Sequence, residues 1–144
     1  MIEIRRMRPE DAEAAARLEA VCFSHPWSAK AFAQCAADEN VCYLMAWEGE
    51  KLVGNCGVRN IAGDGEITNV AVDPACRRQR VGTELMNKLL ETGRSMGIVA
   101  FTLEVRASNQ AAIRLYESSG FLLEGTRRNF YEDPREDALI YWKR

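Results

Sequence analysis

Residues 66–95, EITNVAVDPACRRQRVGTELMNKLLETGRS, decide the fold, because one short stretch holds a strand, a break and a helix in turn. EITNVAV (66–72) is rich in β-branched residues, and Asp73-Pro74 ends it, since the residue before a proline is pushed out of the helical region. From Val81 to about Ser95 the residues Leu85, Leu89 and Leu90 recur at helical spacing, and Gly97 stands where a helix C-terminus takes glycine. IVAFTLEV (98–105) follows and is apolar enough for a buried strand.

Upstream, VCYLMAWE (41–48) and KLVGNCGV (51–58) flank the turn Gly49-Glu50 and predict a hairpin. Ser28 caps a helix through about Ala37, after the break His25-Pro26-Trp27. Pro9 opens a helix through about Leu18, with Glu10 and Asp11 in the first turn where the helix dipole favours acids. Residues 2–7 alternate and predict a short strand with Ile2 and Ile4 on one face. Downstream, Ser108 is expected to cap a helix ending near Ser119, with Gly120 as its stop, and FLLEGTRR (121–128) and DALIYWKR (137–144) form the last strands. The predicted order is β-α-α-β-β-β-α-β-α-β-β: one α/β domain over residues 1–144, built on a mixed sheet, with no repeats or linkers.

The composition fits that reading. At 144 residues, with 47% hydrophobic and 28% charged residues, the chain can bury a real core. Nineteen basic and 21 acidic residues leave a net charge of −2, which argues against a general affinity for nucleic acid or membrane. The five cysteines (Cys22, Cys35, Cys42, Cys56, Cys76) form no CxxC pair, and His25 is the only histidine, so no zinc constellation is expected. The cysteines read as small buried hydrophobes, the start of the chain lacks the apolar core of a secretory signal, and no apolar run approaches the length of a membrane span; a cytoplasmic protein is expected.

The chemistry begins where the Val70 strand meets the next helix. Helix N-terminal N–H groups lack intrahelical partners and carry the positive end of the dipole, so this junction suits a diphosphate. Arg77, Arg78 and Arg80 add positive charge, and Gly82 lets a backbone approach closely. The stretch matches neither GxxxxGK[ST] nor GxGxxG, and read alone it is equally a solvated basic loop.

VAVDPACRRQRVG (70–82) resembles the coenzyme A-binding segment of the GNAT acetyltransferases, Q/R-x-x-G-x-G/A after a strand, with Arg77 at its first position and Gly82 at its last. Arg80 stands where that pattern has its first glycine; a backbone with negative φ at Arg80 is expected to keep the loop intact. LEVRASNQAAIRLYESSGF (103–121), RRNFYEDPREDALIY (127–141) and the HPWS stretch (25–28) are similar to the ribosomal-protein-alanine (RimI-type) branch of that family. The resemblance implies a mixed, mostly antiparallel sheet, splayed between two parallel central strands and flanked by about four helices. It implies acetyl-CoA as cosubstrate, held by the backbone of Val70, Ala71 and Val72, by the loop Arg78, Gln79, Arg80, Val81, Gly82 and Thr83, and by Asn109. It further implies Glu104 as general base, Tyr116 as general acid and no metal. Its expected partner is the N-terminal peptide of a small-subunit ribosomal protein beginning with alanine, with Arg127–Tyr131 and Pro26-Trp27 near the peptide groove.

Elementary chemistry agrees with these roles. An amine attacks a thioester only when unprotonated, so a carboxylate such as Glu104 must take up its proton, and the departing thiolate gains from a phenol that donates one. A backbone N–H near Val70 would polarise the carbonyl. An α-amine titrates near 7.7–8.0 and lysine near 10.4, so at pH 7 roughly a tenth of the former is neutral against roughly 0.04% of the latter. Taken singly, Glu104 reads as a solvated strand-end carboxylate, Tyr116 as core, Asn109 as a helix-start residue, and Glu66 as an alternative base. Three other functions stay open at this stage: a small-amine acyltransferase, a non-catalytic CoA-binding regulator, and an RNA-binding protein using the arginines at 77, 78, 80, 127 and 128.

Overall fold

The structure, a computed structural model, describes residues 2–23 and 25–144, and the side chains of these other than Asn69, Arg77, Arg78 and Gln79. The strands β4 (Asp64–Val72) and β5 (Ala100–Arg106) run parallel, and such a pair needs a crossover long enough for a helix; α3 (Val81–Ser95) supplies it. The two strands pair only over residues 64–66 and 100–102. Beyond that point β4 stays with β3 (Lys51–Ile61), while β5 stays with β7 (Glu136–Lys143). The sheet therefore opens between the C-terminal halves of its two central strands.

The remaining neighbours are antiparallel. With β1 (Glu3–Arg6), β2 (Val41–Glu48) and β6 (Leu122–Tyr131) the order is β1-β2-β3-β4-β5-β7-β6. The expected mixed sheet, splayed at a parallel centre, is thus observed. Helices α1 (Ala12–Cys22) and α2 (Ala29–Ala37) cover one face, where Ala15 and Phe32 pack on Tyr43 and Met45. On the other face lie α3 and α4 (Gln110–Ser118), with Val81, Leu85, Leu89, Ile113 and Tyr116 against Cys56, Val58, Leu103 and Val105. The α3 stripe at 81, 85, 86, 89, 90 and 93 is the helical periodicity seen in the sequence, buried as one face.

A bulge distorts β4 before it reaches the opening. Cys56 faces Val70 and Val58 faces Ile67, so Thr68 and Asn69 together oppose Gly57. Position 57 has no room for a side chain, since a Cβ there would lie 2.4 Å from Cε2 of the buried Tyr43 ring. The Thr68 hydroxyl lies 3.3 Å from both Tyr43 Oη and the Gly57 carbonyl, which pins the bulge to the core.

Local departures from the sequence reading have local causes. A 3-10 turn (Pro9–Asp11) precedes α1, which continues past Leu18 to Cys22 because nothing in residues 19–22 breaks a helix. Asn109, not Ser108, caps α4: its Oδ1 accepts the Ala112 N–H at 3.2 Å, while the Ser108 N–H is taken by Glu136. A 3-10 segment (Pro74–Gln79) fills the expected loop, and Arg80 after it has φ +61°, not the negative value expected. The chain must reverse there to enter α3, and the left-handed region makes that turn.

Candidate active site

The opening in the sheet is occupied by a cavity of about 1140 Å³. Its walls come from the end of α1 (Cys22, Phe23), β4 (Val70, Val72), the start of α3 (Arg80, Gly82, Thr83), α4 with the residues before it (Arg106 to Ser118) and the β6–β7 hairpin (Phe130 to Asp133). Because α1 and α4 lie on opposite faces, the cavity passes through the sheet from one face to the other.

Its two ends differ in charge. At the α3/α4 end Arg80 and Arg114 line the wall, and neither forms an ion pair among the described residues. Glu84 donates the first intrahelical bond of α3, to the Arg80 carbonyl at 3.1 Å, which leaves the N–H groups of Val81, Gly82 and Thr83 without intrahelical partners. The dipole and the two guanidinium groups make this end an anion site of the kind a diphosphate requires. At the hairpin end Glu132 and Asp133 line the wall, and Asp133 Oδ2 lies 3.9 Å from His25 Nε2 across the mouth. That end suits a cation.

Six of the expected cofactor residues line the cavity: Val70, Val72, Arg80, Gly82, Thr83 and Asn109. Ala71 and Val81 are buried beside it and do not reach its wall. The side chains of Arg78 and Gln79 lie outside the described residues, as does that of Arg77. Gly82 does allow a close approach, although the groups nearest its missing Cβ are protein atoms, Leu115 Cδ2 at 3.2 Å and Val72 Cγ2 at 3.6 Å.

Tyr116 faces the cavity from α4 and is only 5% exposed. Burial pushes its phenol well above the ordinary value, with smaller contributions from Cys56 and Tyr131, so the hydroxyl keeps its proton at any physiological pH. Glu104 lies on the other side of the sheet. Phe101, Leu103 and Val105 point into the α3/α4 core, so alternation puts Glu104 and Arg106 on the α1/α2 face. The Glu104 carboxylate is not part of the cavity wall; its Oε2 lies 3.3 Å from Arg127 Nε. Tyr131 stands nearby on the wall, its phenol raised first by burial and then by the Glu104 charge.

Other expectations fare differently. Glu66 pairs with Thr102 in the sheet and does not line the cavity. Trp27 turns away into the α2 core, 5.5 Å from Phe32 and 6.2 Å from Tyr43 between ring centroids, so of the HPWS stretch only His25 reaches the cavity. Cys22, Phe23, Arg106, Arg114 and Leu115 are wall residues that sequence reasoning did not single out. Only the arginine ending LEVR, a charge at the end of a buried strand, offered a signal. Among the described residues no group of three or more His, Cys, Asp or Glu side chains could hold a metal ion, and no helix is long and apolar enough to cross a membrane.

A splayed α/β sheet with a helix start suited to an anion on one side and an acidic mouth on the other is the arrangement a coenzyme A-dependent acyltransferase needs. The family described as "Acetyltransferase (GNAT) family" matches residues 11–121. The chain is 36% identical over 142 residues to the "[Ribosomal protein bS18]-alanine N-acetyltransferase" of Escherichia coli K12, covering 97% of this chain and 95% of that protein. It is 35% identical over 143 residues to the "N-alpha-acetyltransferase RimI" of Mycobacterium tuberculosis, covering 95% and 89%. The crystal structure of the ribosomal-protein-S18-alanine N-acetyltransferase from Escherichia coli superposes with a TM-score of 0.89 at 35% identity, over 99% of this chain and 92% of that one. The chain belongs to the GNAT acetyltransferase family, whose members take acetyl-CoA as cosubstrate.

Proposed function

We propose that this protein transfers the acetyl group of acetyl-CoA to a protein N-terminal α-amine, namely the N-terminal alanine of a small-subunit ribosomal protein, and that residues 1–144 form one acetyltransferase domain working in the cytoplasm. The observation that carries the reading is the cavity that crosses the sheet with basic residues at one end and acidic residues at the other. Its basic end suits the diphosphate of acetyl-CoA, with Arg78, Gln79, Arg80, Val81, Gly82 and Thr83 at the start of α3 and Asn109 at the start of α4. Val70, Ala71 and Val72 flank the reacting carbon. The five free cysteines suit a reducing compartment.

The acceptor enters between His25 and the β6–β7 hairpin, where Glu132 and Asp133 attract an ammonium group. Glu104, on that same face, takes the proton of the α-amine through water, as its position off the cavity wall requires. The neutral amine nitrogen then bonds to the acyl carbon, and the carbon–sulfur bond breaks as the Tyr116 hydroxyl gives its proton to the departing sulfur. The second proton of the attacking nitrogen passes to water in the cavity, from which the Tyr116 phenolate is reprotonated. Tyr116 approaches from the opposite face, so acid and base serve the two sides of the reacting carbon without exchanging a proton directly. A backbone N–H beside Val70, where the β4 bulge interrupts regular pairing, polarises the carbonyl.

The test is a comparison of kcat/KM for a peptide beginning with alanine against small amines such as polyamines and aminoglycosides. A preference for the peptide of roughly a hundredfold or more is expected, because the mouth holds several residues beyond the reacting amine. A small amine used as well as the peptide would move the assignment to the small-molecule class.

A further inference from the structure

Arg106 ends β5, and its guanidinium reaches across to the β6–β7 hairpin. Nη1 donates to the Pro134 carbonyl at 2.9 Å and to Glu136 Oε1 at 3.2 Å, and Nη2 donates to the Glu132 carbonyl at 2.9 Å. Its Cζ stands 4.4 Å from the centroid of the Tyr131 ring. Glu136 accepts the Ser108 N–H on its other oxygen at 2.6 Å, and hydrogen bonding from Ser108, followed by the Arg106 charge, holds its carboxyl below the ordinary range. One ion pair therefore ties the hairpin tip (Tyr131, Glu132, Asp133) to the start of α4 (Ser108, Asn109), and all five of those residues line the cavity.

Residues 132–135 form the turn between β6 and β7 and have no strand pairing of their own. Two of the carbonyls in this turn are gripped by Arg106 alone among the described side chains. A planar fork with five donors can hold two carbonyls and a carboxylate while stacking on a ring, which an ammonium group cannot do.

We propose that Arg106, paired with Glu136, is a positioning residue for the acceptor: it fixes Tyr131 and Glu132 where the incoming α-amine is received. The inference rests on the reading of the hairpin as the acceptor side. Arg106 acts through the hairpin and not on the reacting atoms. The start of α4 keeps its backbone bonds (Ala107 N–H to the Asp137 carbonyl at 3.1 Å, Asn109 N–H to the Arg106 carbonyl at 3.0 Å) whatever side chain stands at 106, so replacement burdens the peptide far more than acetyl-CoA.

The experiment measures peptide KM and kcat, together with the acetyl-CoA Kd by calorimetry, for the wild-type enzyme and for Arg106→Lys, Arg106→Gln and Glu136→Gln. Arg106→Lys is expected to raise peptide KM roughly tenfold or more, the effect of losing charge-assisted hydrogen bonds, with the acetyl-CoA Kd changed by less than about twofold. Glu136→Gln keeps the side chain's shape and raises peptide KM in the same direction, and the double variant is less than additive. An unchanged peptide KM in Arg106→Lys overturns the proposal. So does a parallel loss of peptide and acetyl-CoA affinity with a lowered Tm, which would mark a merely structural role. Should an Arg106 variant fail to fold, Glu136→Gln alone decides by the same criteria. Wild-type enzyme that leaves the peptide unmodified would instead sink the acceptor reading itself, a result visible before any substitution is made.

Discussion

Removing the Tyr116 hydroxyl separates catalysis from packing more cleanly than any other single change. Tyr116→Phe deletes one oxygen and leaves a ring that packs 6.1 Å from Phe121 between centroids, at a site only 5% exposed. The hydroxyl has no hydrogen-bond partner among the described residues, so its loss changes stability by less than about 1 kcal/mol. For a chain of this size that is a shift in Tm of roughly 4 °C or less. Burial holds the phenol protonated, as a general acid must be. Loss of general-acid catalysis costs roughly 10²–10⁴-fold in kcat, equivalent to about 2.7–5.4 kcal/mol on the barrier. The assay is kcat at saturating acetyl-CoA and peptide, run beside a thermal melt of the same preparation. A kcat reduced less than about threefold would refute the role and return Tyr116 to the core. A large fall in both kcat and Tm would show that packing, not proton transfer, had been disturbed.

Other consequences concern the scaffold. Gly57→Ala would drive a methyl group to 2.4 Å from Tyr43, and overpacking of this kind costs typically 1–3 kcal/mol, so chemical denaturation should show a clear loss while acetyl-CoA binding persists. Arg80→Gly relieves the left-handed backbone at φ +61°, with a net gain of about 0.5–1 kcal/mol after the added freedom of the unfolded chain, while removing a cation weakens acetyl-CoA binding; a higher Tm with a higher Kd is expected. Buried Cys42 and Cys56 have thiols raised above the ordinary value by burial, so the folded state keeps protons that the unfolded chain loses above about pH 8.5. Their contribution is complete below that pH and declines as pH rises, by up to about 1.4 kcal/mol per pH unit for each thiol. Urea midpoints measured from pH 7 to 10 should fall accordingly, and should fall less in Cys56→Ala when each pH series is normalised to its own pH 7 value.

Much of this arrangement was legible in the sequence, and the parts that were not share a cause. The strand, helix and strand over 66–105 were legible one by one, because periodicity and a proline stop are local signals, whereas the parallel pairing of the two strands was implied by the family resemblance alone. Tyr116 and Asn109 line the cavity, but it was the resemblance and not helix spacing that singled them out, since taken singly they read as core and as a helix-start residue. Arg80 was misread because a positive φ at a non-glycine depends on how two elements meet, which no neighbouring residue announces. The β4 bulge depends on Tyr43 lying over Gly57, a contact between strands. The hairpin grip of Arg106 joins residues thirty apart in the chain, and the ion pair of Glu104 with Arg127 spans two strands that are not neighbours in the sheet. Local pattern reading has no access to such pairs.

The central claim is that the enzyme acetylates an N-terminal α-amine. It is tested most directly by intact-mass analysis after incubation with acetyl-CoA and either of two peptides: one beginning with a free alanine and containing an internal lysine, the other identical but blocked at its N-terminus. The account predicts a single acetyl group on the first peptide, located at its α-amine, and none on the blocked one. Acetylation of the blocked peptide at lysine, at a rate matching the first, would contradict it.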